Sequence, residues 1–540
     1  MTIRASYVGG VIALFPAART GNGKRRLLRR GTFGEMVETY AFTPPRSPSM
    51  IHPTPTKTLL TTTFEPLVMR LSGLLARGTR LLDRFVHAEP TPETTMAFER
   101  KLSDLLREVG RRIMAWTLNR LEPDADSEAP SRVLFEGHLY RRRRKHPHVV
   151  GTLFGPVTLW RRLYEPRGHR GRSMHPLELR LGIEAGLATP ALAERVGSWA
   201  TDHTQHEVLE IVQRDHGVSW SCTSLRKVLG SLRTGMAPHR EGAQVKQVLS
   251  WIEQARASTG RFRPTLSVGR DGIFVPLRGG VAQEGATATV SVLDRRGKRV
   301  GTAYLGQMPQ SGQGTLTDQL SSLLQAILSQ VDSQLLRLVY VSDEGHHPST
   351  YYHQVLKKMV DPRRPWRRLE WIRIVDFYHA CGYVQQLADT IFGAGDAAQT
   401  WAKEMRHVLK TKADGGARVL KSASALRRRR GLRGQAKLYH QAYRYIRTRT
   451  PWMRYHSYQR QRLPRGSGIT EAACKVVFTQ RLKRSGMSWT LSGGQVILDL
   501  RVLRLSHVWD EAHQRYLASK PLPVACGDTG NVTQHQPLAA

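Results

Sequence analysis

What most restricts the fold of this chain is the succession of patterns between residues 264 and 342. Three strand-like stretches, 264–277, 286–293 and 300–305, are separated by Gly-rich or charged turns; a helical periodicity then covers 316–336, and 338–342 is a fourth, apolar strand. Strands joined by short turns pair antiparallel, whereas a strand reached through a crossover helix can pair parallel. The pattern therefore predicts a mixed sheet covered by helices, with 369–375 as a fifth strand. Residues 380–465 interrupt it with a helix-biased, basic segment that includes Arg427 to Arg430 and the stretch from Arg444 to Arg454. Helical spacing returns after Gly466-Ser467-Gly468, over 470–483 and again over 493–517.

The expected fold class is thus α/β: a ribonuclease-H-like core over 259–379 and 466–518, a helical basic insertion over 380–465, and a mainly helical region in front. Residues 1–62, rich in Pro, Thr, Gly and Arg, read as a disordered tail; the apolar stretch Tyr7 to Ala18 is short and runs into basic, Pro-rich sequence, unlike a signal peptide. Leu67, Leu71, Leu74 and Leu75, then Leu102, Leu105 and Leu106, predict amphipathic helices within 63–130. In 131–176 the basic run Arg141 to Lys145 precedes two β-like runs that break at Gly155-Pro156, which predicts a basic hairpin. Over 177–258 a helix, a break at Gly217 and a second helix opening near Thr223 look like a helix-turn-helix. Ser224, Arg226 and Lys227 would then face phosphates or base edges, although a plain packed helix pair gives the same pattern. Residues 519–540 read as a polar tail.

Charge narrows the partner. Lys and Arg total 82 against 43 Asp and Glu, a formal net charge of +39, well beyond what solubility asks of a surface. The partner expected first is double-stranded DNA, because each neutralised phosphate releases about 0.9 condensed counterions. No apolar run reaches the roughly 18 to 20 residues of a spanning helix, so no membrane role is expected. Cys222, Cys381, Cys474 and Cys526 stand apart, with no Cys-x-x-Cys pair for zinc or redox chemistry, which suits a reducing cytoplasm.

Three carboxylates then stand out. Asp271 lies in Ser267-Val268-Gly269-Arg270-Asp271-Gly272, inside a strand-like run where an acid is costly unless paired or coordinating. Asp343 ends the apolar strand, and on a parallel neighbour of the first strand its side chain could meet that of Asp271. Glu471 follows the Gly-Ser-Gly turn at a helix start, and packing of that helix on the sheet could bring it to the same place. Each has a plain explanation alone: a hairpin turn, a strand-ending loop residue, a charge that complements the helix dipole. Together they suit two-metal phosphoryl transfer, in which carboxylates converge on hard divalent ions about 3.5–4 Å apart. Asp294 and Asp361 are the alternative acids; Asp294, followed by Arg295, Arg296 and Gly297, looks like a hairpin turn. His346 and His347 are softer ligands than Mg²⁺ prefers and are expected at the rim.

The runs Asp376-Phe377-Tyr378-His379-Ala380, Gly466-Ser467-Gly468-Ile469-Thr470-Glu471-Ala472-Ala473-Cys474-Lys475, Arg481-Leu482-Lys483-Arg484-Ser485-Gly486-Met487-Ser488-Trp489 and Leu500-Arg501 resemble the bacterial ISKra4 family of insertion-sequence transposases, over about residues 135–515. The resemblance implies a DDE transposase related to Mutator-like elements, in which a helical insertion separates the last acid from the second. It makes Asp271, Asp343 and Glu471 the catalytic, metal-binding triad for two Mg²⁺ or Mn²⁺ ions. Asp376 and His379 match the family's Asp/Cys-x-x-His motif; three apart at a helix start, they read either as His379 contacting a phosphate or orienting water with Asp376 holding it, or as an N-cap Asp with a His in the first turn. Arg270 departs from the acidic or aromatic context usual before the first Asp. The implied activity is metal-dependent end cleavage and strand transfer at the nucleoid, by a homo-oligomer that holds terminal repeats and target DNA. Lys475, Arg481, Lys483 and Arg484, with Arg226 and Lys227, are the expected DNA contacts, while Trp489 is expected in the core. The alternative is a non-catalytic DNA-binding regulator derived from a transposase, which shares the charge but has no use for the acids.

Overall fold

The computed structural model describes residues 64–526, so the tail expected over 1–62 and the end of the 519–540 segment lie outside the described residues. Two long helices come first, α1 (Glu65–Val86) and α2 (Pro92–Arg120). Each has Pro in its first turn, where a missing amide costs nothing, and Thr91 with Thr94 closes a capping box on α2. These are the helices expected within 63–130.

The strands β1 (Arg132–Phe135), β2 (His138–Thr152) and β3 (Gly155–Pro166) pair antiparallel in sequence. The turn falls at Gly155, as expected, with φ +120°. The basic run does not precede the hairpin, however: Arg141 to Lys145 lie inside β2, which β3 accompanies as far as Tyr140↔Pro166. Arg142 donates to the carbonyls of Asp126 and Ala129, Arg143 pairs with Glu165 at 2.6 Å, and Lys145 pairs with Asp124 at 3.0 Å. Only Arg141 and Arg144 of this run are exposed without such engagement among the described residues.

Four helices follow, α3 (Pro176–Arg180), α4 (Pro190–Ala200), α5 (Gln205–His216) and α6 (Cys222–Ala257). Thr204 and Glu207 form a capping box on α5, and Gly217 ends it at φ +62°. The expected break is there, but α6 is 36 residues long rather than a short recognition helix. Leu225, Val228, Leu229 and Leu232 in its first half pack in a helical core with α4 and α5, whereas Val248, Ile252 and Ala255 in its second half lie against the central sheet. The 177–258 region is therefore continuous with the rest of the core.

That sheet is built from β4 (Thr265–Pro276), β5 (Ala282–Leu293), β6 (Arg299–Gln307), then, after α7 (Gly314–Gln330), β7 (Arg337–Ser342), and, after α8 (His346–Gln354) and a small ribbon of β8 (Val360–Asp361) and β9 (Arg364–Arg368), β10 (Trp371–Val375). Its order is β10-β7-β4-β5-β6, with β4, β5 and β6 an antiparallel meander and β4, β7 and β10 mutually parallel. This mixed α/β arrangement is the one the spacing predicts. Every residue of β7 is buried because both faces are covered: Leu338 and Tyr340 face α6 and α7, Val339 and Val341 the opposite layer. The β8–β9 ribbon, masked by its arginines, is unexpected. It fixes Asp361, whose carboxylate accepts from Ser333 Oγ and the Arg363 amide. Asp294 caps the β5–β6 turn, accepting from the Arg296 and Lys298 amides at 2.8 Å.

The insertion is helical, as expected: α9 (Phe377–Phe392), α10 (Asp396–Thr411), α11 (Gly415–Arg430), α12 (Ala436–Arg449) and α13 (Tyr455–Arg460). Val384, Leu387, Trp401 and Ile446 form its core together with Val339 and Ile374 of the sheet. The chain then gives α14 (Gly468–Ala473), a π-helical turn over Cys474–Thr479, α15 (Gln480–Leu482), α16 (Leu491–Leu505), α17 (Trp509–Ser519) and β11 (Val524–Cys526). β11 pairs antiparallel with β1, so the expected polar tail contributes a strand to a second sheet ordered β11-β1-β2-β3. No helix among the described residues is long and apolar enough to cross a membrane.

Candidate active site

Alternation along β4 decides which way Asp271 points. Leu266 and Val268 pack beneath α7, and Arg270 follows them, donating to Thr317 and Gln313 with its guanidinium 4.7 Å from the Tyr351 ring centre. Ser267, Gly269 and Asp271 therefore share the other face. The unusual Arg270 is thus a buried brace with no part in the site. In the parallel pairing Gly269 lies opposite Val341, and Val375 of β10 lies opposite Ser342. Continuing these registers sets Asp271, Asp343 and Asp376 side by side, just past the carboxyl ends of β7 and β10 and where the parallel pairing of β4 stops while β4 itself runs on to Pro276, the edge where α/β sheets present ligand sites.

Glu471 arrives from the far end of the insertion. A Cβ at Gly269 would lie 2.0 Å from Thr470 Oγ1, so only glycine lets α14 sit this close to β4. Thr470 Oγ1 also meets Thr289 Oγ1 of β5 at 3.0 Å. Two short-range devices hold the acids. Ser467 Oγ lies 2.8 Å from Glu471 Oε1 and 2.7 Å from Asp376 Oδ2, so one hydroxyl bridges two carboxylates. Cys474, in the π-helical turn, donates its thiol to Asp271 Oδ2 at 3.3 Å; single π turns recur at functional sites.

Asp343 sits in a turn that is itself braced. Its Oδ1 accepts from the Gly345 amide at 2.9 Å, and its carbonyl accepts from the Tyr445 hydroxyl at 2.9 Å. Glu344 next to it adopts φ +65°, a conformation non-glycine residues seldom take without cause. In that conformation its buried carboxylate is held by Arg373 of β10, whose Nε and Nη2 form one bidentate edge on it and whose guanidinium lies 3.8 Å from the Trp452 ring centre.

The electrostatics follow from this crowding. Burial is the main reason the Asp271 carboxyl is raised to about 6; the Cys474 thiol opposes the rise, and the charges of Asp343 and Glu471 add to it. Burial and the same carboxylates push the Cys474 thiol far above its usual range, so it stays a protonated donor. Asp271, Asp343, Glu471 and Asp376 have no Arg, Lys or His within 4.0 Å among the described residues, in a protein of net charge +39. As they stand, no three His, Cys, Asp or Glu side chains among the described residues are set to hold a metal ion, Glu471 being engaged by Ser467. The donor set of Asp271, Asp343 and Glu471 is nonetheless all oxygen, carries unpaired charge and fits Mg²⁺ or Mn²⁺.

The remaining expected residues divide. Asp376 is fully buried and caps α9, accepting from the His379 amide at 2.6 Å, so its work is to hold that helix and Ser467. His379 is exposed in the first turn of α9, beside Tyr383 and Tyr445. His346 is exposed at the start of α8, next to the acidic turn, with His347 half-buried beside it. Arg226 and Lys227 are exposed on α6, with Arg226 donating to Gln205. Lys475 is exposed and makes no ion pair with Glu471 among the described residues, and Lys483 is exposed too. Arg484 is partly committed to Glu207 and to the Asp202 carbonyl. Arg481 is a correction: it is 1% exposed, donates to the Ala200 carbonyl and sits 5.2 Å from the ring centre of half-buried Trp489. Its helix face is turned into the core, so its guanidinium braces the helices there and is no exposed phosphate contact.

Ser467, Cys474, Arg373 and Tyr445 are the residues that sequence reasoning passed over. Two carried a faint signal: Cys474 comes three residues after Glu471, hence on the same helix face, and Arg373 is a lone charge in an apolar strand. No protein-family model matches this chain, and no curated protein does.

Proposed function

We propose that this protein is a DDE transposase of an insertion sequence, a polynucleotidyl transferase with a ribonuclease-H-like core and a helical insertion. One observation carries the reading: Asp271, Asp343 and Glu471, from three separate parts of the chain, come together without a cation partner where the parallel pairing of β4 and β7 ends. The strand order β10-β7-β4-β5-β6, with its crossover helix and the helices between Asp376 and Gly466, supports the core assignment. The runs around Asp376 and from Gly466 to Lys475 support placement near the ISKra4 family.

On this reading Asp271, Asp343 and Glu471 hold two Mg²⁺ or Mn²⁺ ions, which when bound would activate the attacking oxygen and stabilise the leaving one. Water first cleaves the phosphodiester at the transposon end and leaves a 3′-hydroxyl; that hydroxyl then attacks a target phosphodiester, displacing a second 3′-oxygen. The chain's own residues position these groups. Cys474 orients Asp271, Ser467 and Asp376 orient Glu471, and Arg373 with Tyr445 fixes the turn of Asp343. His379 stands exposed nearby, where it contacts a phosphate or orients the water. Lys475, Lys483, Arg226 and Lys227 are exposed cations for the backbone of terminal-repeat and target DNA. Two ends must be held together, so the active form is a homo-oligomer, acting in the cytoplasm at the nucleoid.

The test is strand transfer of a labelled transposon end into plasmid DNA with Mg²⁺, using the intact protein and Asp343→Ala. Joined product that the substitution abolishes while DNA binding persists is the expected result. Binding by the intact protein without any cutting would make it a regulator instead, and cutting without joining a nuclease.

A further inference from the structure

We infer that the groove between α11 and α12 is the channel along which the sugar–phosphate backbone of DNA runs to Asp343; the inference rests on the transposase reading and adds to it the path of the substrate. A cavity of 850 Å³ opens there, lined by Arg427, Lys437, Arg444, Arg447 and Arg449 and, among the described residues, by no Asp or Glu. None of these five cations has an ion-pair partner among the described residues. Arg427 and Arg449 rest over the rings of Tyr439 and Tyr445, and Arg449 Nε is buried with no hydrogen-bond partner. Some arginines elsewhere are paired with acids, as Arg373 with Glu344 and Arg162 with Glu122, and others bond to neutral groups, as Arg270 does to Thr317 and Gln313. What sets the groove apart is five cations around one hollow with no acid among the described residues of its lining. Five like charges left around one concavity repel each other until an anion enters.

The groove leads to the acids. Arg449 also lines a second cavity, of 440 Å³, together with Glu344, Gly345 and His346. The two hollows therefore adjoin at Arg449. Its Nη2 donates to the Glu344 carbonyl at 3.3 Å, and Tyr445 donates to the Asp343 carbonyl at 2.9 Å, so α12 is fastened to the turn that presents Asp343. Along α12, Arg444 and Arg447 follow Lys437 by seven and ten residues, which places all three within one face. The stripe is about 15 Å long at about 1.5 Å per residue. At about 3.4 Å of helix axis per nucleotide, it matches about four steps of one DNA strand. A regularly charged strand fits such a stripe better than the scattered acids of a folded protein.

The experiment compares the intact protein with Lys437→Gln/Arg444→Gln/Arg447→Gln. These three side chains are exposed and make no contact whose loss should unfold the protein. The control, Arg296→Gln/Lys298→Gln/Arg299→Gln, removes equal charge at the β5–β6 turn. That turn adjoins the start of β4, where Leu293 pairs with Thr265, at the opposite end of the sheet from Asp271. Binding to a fluorescent duplex oligonucleotide is read by anisotropy in metal-free buffer over a salt series, so no catalysis is needed. The expected result is a slope of log affinity against log salt smaller by about 2 to 3 in the groove variant, at about 0.9 per lost phosphate contact, and unchanged in the control. If the intact protein binds and joins DNA but the groove variant keeps its slope, the groove is overturned while the transposase reading stands. Equal losses in both triple variants, or displacement of the duplex by polyglutamate as readily as by DNA, also overturn it, since then charge alone is sensed. Failure of the intact protein to bind DNA at all overturns both.

Discussion

Replacing Asp271 by Asn should make the metal-free protein more stable, and increasingly so as pH rises. The carboxyl is raised from 3.8 to about 6, chiefly by burial. Between those values the folded protein keeps a proton that the unfolded chain has released, so folding stability falls as pH climbs through this window and stays low above it. A shift of about 2 units is worth at most about 3 kcal/mol at 1.36 kcal/mol per unit. Asn carries no ionisation cost, so the stability of Asp271→Asn over the intact protein should grow from under about 1 kcal/mol near pH 4 to about 3 kcal/mol above pH 7. Urea unfolding with EDTA at several pH values, followed by tryptophan fluorescence, measures the gap. Mg²⁺ should narrow it at neutral pH by stabilising only the intact protein, by about 2.7 kcal/mol at a hundredfold excess over Kd. Strand cleavage should be lost in the variant throughout. A gap that does not change with pH, or an Asn variant that is the less stable at neutral pH, would refute a buried, ionised Asp271 waiting for a cation.

Other substitutions probe the braces. Ser467→Ala removes the hydroxyl shared by Glu471 and Asp376; cleavage should fall about 10- to 100-fold with DNA affinity intact, and extra Mg²⁺ should restore part of it. A rate unaffected at every Mg²⁺ concentration would remove Ser467 from the positioning set. Gly269→Ala puts a methyl 2.0 Å from Thr470 Oγ1, which should abolish cleavage and cost about 1–3 kcal/mol of stability. Thr470→Ala should relieve part of that cost in a double-mutant cycle, and strict additivity would contradict the contact. Arg373→Gln strands buried Glu344 and should cost about 3–5 kcal/mol in urea unfolding, with the added change Glu344→Gln recovering much of it. No recovery would mean that Arg373 acts only through the rings of Tyr352 and Trp452, whose centres lie 4.4 and 3.8 Å from its guanidinium.

The succession of central strands was legible because short polar turns and apolar alternation are local signals, and the crossover helix marks where pairing can turn parallel; the place of β10 at the sheet edge was not. That Asp271, Asp343 and Glu471 could approach one another was legible for the same reason: Asp343 ends an apolar strand, Glu471 opens a helix after a Gly-Ser-Gly turn, and Asp271 is an acid inside a strand-like run. What was hidden depends on distant partners. Ser467 gains its meaning from Asp376 and Cys474 from Asp271, contacts that no window of sequence contains. Charge also misled. Arginines inside β2 disguised a strand that β3 pairs along most of its length, and Arg481 looked like a phosphate contact when its helix face turns into the core. The helix-turn-helix reading within 177–258 rested on a real break at Gly217, but the second helix is held by tertiary packing far beyond the length such a motif needs.

The pairing of β11 with β1 has a consequence for synthesis. The strands β1, β2 and β3 leave the ribosome early and can pair at once, yet β1 stays an unprotected sheet edge until residues 524–526 emerge and dock against it. A product cut short by a frameshift or an early stop never closes that edge. Such fragments should cling to one another through the open edge or be degraded, so a three-residue strand near the end of the described chain decides whether the β1 edge is closed.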